Sequence, residues 1–181
     1  MTVPVLLLTG PSGVGKTTVA YEVSAMLAAR DVAHALIDTD NLDHIHPPPA
    51  DDPTKGRLTA ANLAAVWANL SRAGARRLIL TGVVEDLEAE LRLLGPAVPE
   101  GQWTVVLLRA SYEERARRLA GRESGSGLEY HLARTRIVAE RLERRTHGRL
   151  VVDTDGLSVE QVAAAVLEAA GWGGGPAQPP P

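Results

Sequence analysis

The stretch Gly10-Pro11-Ser12-Gly13-Val14-Gly15-Lys16-Thr17 fits the pattern Gly-x4-Gly-Lys-Ser/Thr and follows the apolar run Val5-Leu6-Leu7-Leu8. Glycines at this spacing let backbone N–H groups close around an anion, and a helix that starts at the end of the loop points its positive dipole end at the same place. The motif therefore requires a strand, a tight loop and a helix in that order, and it predicts binding of a nucleoside triphosphate. Gly10, Ser12, Gly13, Val14, Gly15 and Thr18 are expected to cradle the phosphates. Lys16 is expected to reach the β- and γ-phosphates, and Thr17 to ligate Mg²⁺. The chain has only two lysines, Lys16 and Lys55, so a chance match is on the order of one in a thousand.

Beyond the loop, the chain alternates between strands and helices. Val3–Thr9 and Trp103–Leu108 are apolar runs suited to buried parallel strands, and shorter runs at 32–37, 77–81 and 150–152 give three more. Helical spacing is found over 16–30, 59–73, 85–94, 111–120, 128–146 and 158–171. Ser111-x-x-Glu114 and Ser158-x-x-Gln161 are capping boxes, and Gly95-Pro96 ends the third helix. This order predicts a single α/β domain over 1–172, with a five-stranded parallel sheet flanked by helices on both faces. Its ligands belong at the carboxyl ends of the strands. The stretch 46–53, rich in proline, is expected as an exposed loop. The Gly/Ser-rich stretch 121–127 is expected as a short mobile lid, and the tail 173–181 as disordered.

Composition narrows the chemistry. With no cysteine among 181 residues there is no disulfide, no thiol nucleophile and no zinc knuckle. A net charge of −3 argues against a nucleic-acid backbone as partner. No segment approaches membrane length, and the start Met1-Thr2-Val3-Pro4 lacks a basic leader, so a cytoplasmic location is expected. The core must be built from aliphatic residues, because Phe is absent and aromatics are 3%.

The kind of nucleotide-binding domain is narrowed by signatures that are missing. No Asn-Lys-x-Asp is present for guanine, and the third strand ends Leu80-Thr81-Gly82 without the carboxylate of a transporter or motor ATPase. A small domain with this loop, Asp38-Thr39-Asp40 after the second strand and an arginine-bearing lid after the fourth resembles the small-molecule kinases of the P-loop superfamily. Adenylylsulfate, shikimate and gluconate kinases and chloramphenicol phosphotransferase are of this type. The resemblance implies an ATP- and Mg²⁺-dependent kinase that phosphorylates a hydroxyl of a small molecule. It also implies that Arg118 or Arg122 closes on the γ-phosphate, and that the segment around Asp155 borders the adenine. Because Thr81-Gly82-Val83-Val84 lacks the Gly-Gly-Gly of shikimate kinase and the substrate motif of adenylylsulfate kinase, the resemblance does not carry an acceptor.

Asp38 is expected to hold the Mg²⁺ hydration shell near Thr17, and Asp40 to orient or deprotonate the acceptor hydroxyl. The competing expectation is that Asp40 caps a short helix over 41–45. His44, His46 and Arg57 are weighed as acceptor contacts against simple solvation, and Arg134 and Arg136 as phosphate or acceptor contacts against a charged helix face. Glu85 and Asp86 are read as first-turn acids of a helix, and Trp67 as core. Two other functions stay open: a nucleoside or nucleotide kinase, and an ATP-binding regulatory or partner-binding protein with little transferase activity. Oligomeric state is left open.

Overall fold

A computed structural model of the chain describes residues 2–121, 126–145 and 147–174. Five strands form one parallel sheet: β1 (Val3–Thr9), β2 (Ala35–Asp38), β3 (Leu78–Gly82), β4 (Gly101–Arg109) and β5 (Leu150–Asp153), in the order β2-β3-β1-β4-β5. Six α-helices connect and cover them: α1 (Lys16–Ala28), α2 (Gly56–Arg72), α3 (Leu87–Leu94), α4 (Tyr112–Ala120), α5 (Ser126–Glu143) and α6 (Val159–Ala169).

Alternation along β1 divides the core in two. Leu6 and Leu8 face α1 and α6, meeting Val23, Leu27, Val162 and Val166. Val5 and Leu7 face the other way, toward Leu63 and Trp67 of α2 and Leu94 of α3. Trp67 is 4% exposed and is part of this core, as its helical spacing predicted. Val138 and Leu142 of α5 cover Leu107 of β4. Both faces of the sheet are thus buried, which is why its strands read as unbroken apolar runs.

Several boundaries differ from the sequence expectation. The second strand begins at Ala35 and not Val32, because α1 ends at Ala28 and the chain turns through Asp31, whose φ is 55°. The fourth strand is longer than expected, since Val3 to Thr9 pair with Gly101 to Leu107 along their whole length. Asp86 lies outside its helix and caps it, its Oδ1 accepting from Ala89 N–H at 3.0 Å. The capping box at Ser158 is complete. The one at Ser111 is half formed: Ser111 Oγ accepts from Glu114 N–H, but Ser111 N–H donates to Asp155 Oδ2 at 2.8 Å.

Helix α5 takes in Ser126 and Gly127 from the expected lid. Gly121 of that lid caps the end of α4, and 122–125, with Arg122, lie outside the described residues. Of the expected disordered tail, Gly173 is placed, its carbonyl accepting from Arg30 Nη1 at 3.1 Å, and 175–181 lie outside the described residues.

Candidate active site

The loop after β1 is held from its outer side through its carbonyls. Thr135 Oγ1 of α5 donates to Ser12 O at 2.6 Å, Arg118 Nη1 of α4 donates to Val14 O at 2.9 Å, and Lys16 Nζ donates to Gly10 O at 2.9 Å. With the Ser12 and Val14 carbonyls engaged in this way, the N–H groups of the same peptides, those of Gly13 and Gly15, are directed to the opposite side, which is what an anion cradle needs. Gly13 has a φ of 82°, and a Cβ there would lie 2.7 Å from Arg115 O, so α4 packs directly on the loop.

Beneath that contact is a buried cation. Arg115 is 4% exposed; its Nε donates to Thr135 Oγ1 at 3.1 Å and its Nη1 to Ala110 O. No carboxylate meets it among the described residues, and burial pulls its pKa below the usual arginine value. It stays protonated and adds positive potential below the phosphate cradle.

Thr17 and Asp38 meet across the strand ends. Thr17 Oγ1 donates to Asp38 Oδ2 at 2.9 Å, and Asp38 Oδ1 accepts from Asp40 N–H at 3.1 Å. Asp38, and not Asp40, is therefore the residue that caps the short 3₁₀ turn Thr39–Asn41. That turn is anchored by Thr39 Oγ1 on Thr81 O at 2.8 Å, against Gly82, where a Cβ would come within 2.6 Å of the same hydroxyl. The Thr81-Gly82 ending of β3 makes room for the turn that presents Asp40.

The donor set at Thr17 and Asp38 suits a hard divalent cation: a hydroxyl and a carboxylate oxygen already adjacent, with the other positions left for phosphate and water. Among the described residues no three His, Cys, Asp or Glu gather as a metal cluster.

Two clefts open from the loop. One, of about 440 Å³, has Ser12, Asp40 and Asp43 on one side, Val83, Glu90 and Leu93 on another, and Tyr130, His131 and Arg134 from α5. Asp43 is committed within it, to Lys55 Nζ at 2.9 Å and to Thr59 Oγ1 at 3.2 Å. The second, of about 270 Å³, shares none of these residues and is lined by Val14, Gly15, Thr18, Arg118, Thr154 and Leu157. Arg118 there also donates to Thr154 Oγ1 at 3.1 Å and to Glu114 Oε1 at 2.8 Å. Hydrogen bonds from Arg117 and Arg118 hold the Glu114 carboxyl down to about 2.

Of the remaining sequence candidates, several fall outside these clefts. Asp155 turns its carboxylate to Ser111, and its neighbour Thr154 lines the smaller cleft instead. His44 and His46 are exposed and line neither, and Arg57 is paired with Asp51 on the surface. Glu85 is paired with Arg141, and Arg136 with Glu140. Of the arginines weighed, Arg134 enters the larger cleft, while Arg122 lies outside the described residues. Sequence reading missed Glu90, Asp43, Tyr130, His131 and Thr135. Only the Tyr130, His131 and Arg134 spacing carried a signal, one turn of a single helix face.

Residues 6–136 match the model of a family described as AAA domain. No curated protein matches the sequence. Among solved structures, the Deinococcus radiodurans tunicamycin resistance protein is similar over 93% of this chain and 96% of its own, with 21% identity and a TM-score of 0.63. A gluconokinase from Sinorhizobium meliloti 1021 is similar over 93% and 91%, with 19% identity and a TM-score of 0.59. The Mycobacterium tuberculosis APS kinase in complex with AMPPNP and APS is similar over 93% and 97%, with 21% identity and a TM-score of 0.57. The fold is therefore that of P-loop small-molecule kinases. No described helix is long and apolar enough to cross a membrane.

Proposed function

The chain belongs to the AAA domain family, and from that membership and the geometry of its two clefts we propose that it is a kinase: an ATP- and Mg²⁺-dependent enzyme that moves the γ-phosphoryl group to a hydroxyl of a small molecule. The observation that carries this reading is that Ser12 of the phosphate loop and Asp40 line one cleft, which shares no lining residue with the second, built on Val14, Gly15 and Thr18 of the same loop and helix start. A phosphate end placed on the loop would therefore face a separate chamber that already holds an uncommitted carboxylate. Neighbours named as a gluconokinase and an APS kinase support phosphoryl transfer, and the AMPPNP in the latter supports an adenine nucleotide.

The loop amides from Gly13 to Thr18 and Lys16 hold the phosphates. Thr17 and Asp38 would hold Mg²⁺, which when bound neutralises charge on the β- and γ-phosphates. Arg118, which donates to Thr154 Oγ1 in the smaller cleft, is assigned here to the nucleoside end of ATP, so among the lid arginines we leave the γ-phosphate to Arg122. Asp40 accepts the hydrogen bond of the acceptor hydroxyl and orients its oxygen. A new O–P bond forms as the bond from the γ-phosphorus to the β-bridging oxygen breaks, ADP leaves, and the proton passes by way of Asp40 to water. No step needs a covalent enzyme intermediate. The cytoplasm, where ATP is plentiful, is the location this chemistry fits.

The test is Mg²⁺-ATP consumption by wild type and Lys16→Ala against sugars, sugar acids, cyclitols, adenylylsulfate, antibiotics and nucleosides. One acceptor raising wild-type turnover far above basal hydrolysis, with the variant silent, supports the kinase. ATP binding with no acceleration by any acceptor would favour a nucleotide-dependent binding protein.

A further inference from the structure

The larger cleft also constrains the charge of what it receives, given that it is the acceptor site. Asp43 is neutralised by Lys55 and already takes the Thr59 hydroxyl. Among the described residues of the cleft, Arg134 is the one arginine or lysine; it is exposed, its Nη1 donating to Tyr130 Oη at 2.9 Å. The carboxylates of Asp40 and Glu90 have no hydrogen-bond or ion-pair partner among the described residues, and both line the cleft. Glu90 is part-buried beside Leu93 and Leu94, and that burial pushes its carboxyl above the usual glutamate range. A half-buried acceptor group without a donor costs free energy until a ligand supplies one.

We propose that the phosphoryl acceptor is a neutral or amine-bearing hydroxyl compound, and that Glu90 determines this by accepting a hydrogen bond from a hydroxyl or ammonium group of the acceptor. One hydroxyl meets Asp40 and is phosphorylated, a second donor meets Glu90, and an apolar edge rests on Val83 and Leu93. A carboxylate, sulfate or phosphate on the acceptor would bring a like charge toward Asp40 and Glu90, with Arg134 the one arginine or lysine among the described residues of the cleft to offset it.

This proposal rests on the kinase reading, and its test separates the two. Several scaffolds are assayed as matched triples: a sugar, its amino sugar and its sugar acid; a cyclitol, its aminocyclitol and its carboxylate; a nucleoside, its amino derivative and its monophosphate. ATP loss and phosphorylated product are both measured, with wild type and the isosteric Glu90→Gln. The expected result is product from neutral or amine members only. Glu90→Gln should melt no lower than wild type and keep the KM for ATP, while kcat/KM for an amine acceptor falls about tenfold or more, as expected for losing a charge-assisted hydrogen bond. An acidic member turned over best, or an amine acceptor whose kcat/KM the variant leaves unchanged, overturns the proposal and leaves the kinase standing. ATP bound but no triple phosphorylated overturns the kinase reading, and this proposal with it.

Discussion

The hydroxyl of Thr135, on α5, donates to the carbonyl oxygen of Ser12, in the phosphate loop, at 2.6 Å, and it is fully buried where it does so. Behind it Arg115 donates into the same hydroxyl, so one oxygen satisfies a loop carbonyl and a buried guanidinium at once. Thr135→Val keeps the shape and removes both bonds. The expected cost is about 1–3 kcal/mol of stability, because two buried polar groups lose their partner. ATP affinity should fall as well, since the loop loses a tether. Urea unfolding and calorimetric ATP titration check both, and Thr135→Ser should recover most of each.

Asp40 has no structural duty among the described contacts of its side chain, because Asp38 supplies the cap of the turn. Asp40→Asn should therefore lower kcat about a hundredfold or more, the range expected for a general base, while ATP binds as before. Full activity in the variant would remove Asp40 from the mechanism.

Asp38 has two duties, and a conservative change separates them. Asp38→Asn keeps an oxygen for Asp40 N–H but loses the charge beside Thr17. Stability should change by less than about 1 kcal/mol, since Asn caps nearly as well as Asp. The Mg²⁺ concentration needed for half-maximal activity should rise about tenfold or more. An unchanged Mg²⁺ requirement would place the ion elsewhere.

Burial raises the Glu90 carboxyl above its ordinary value of 4.5. The folded state then holds the proton more tightly than the unfolded chain, so this residue's contribution to stability is greatest below pH 4.5 and falls as pH rises through the raised value. Glu90→Gln should accordingly melt above wild type at neutral pH, with the difference closing on acidification. The groups facing it across the cleft, Asp40, Asp43 with Lys55, His131 and Arg134, are present in both proteins. A melting difference that does not depend on pH would mean that desolvation of the charge is not the cause.

The phosphate loop, the sheet and the Thr17–Asp38 contact were legible in the sequence because each is set by local chemistry: glycine spacing, apolar runs, and acids at the end of a strand. The larger cleft was not, since its walls come from the turn after β2, α3 and α5, and only packing brings these together. Asp155 shows the same limit at small scale. The resemblance implied that the segment around Asp155 borders the adenine; in the fold the carboxylate also reaches Ser111 N–H, 44 residues earlier, and completes a cap for which the local sequence offered Glu114. Glu114 in turn is drawn away by Arg117 and Arg118. Which of two carboxylates serves a cap is decided by the competition for each, and a linear pattern does not contain that competition.

Helix α5 is 18 residues long, about 27 Å, and it touches the phosphate loop at Thr135, the larger cleft at Tyr130 and Arg134, and the loop after β3 through Arg141 and Glu85. On the proposed reading, a single helix thus touches the sites of both reactants. Any tilt that tightens its hold on one is felt by the other, and thermodynamic reciprocity then requires the two to alter each other's dissociation constants by the same factor. Measuring how ATP changes acceptor affinity would give, without a second experiment, how the acceptor changes that of ATP.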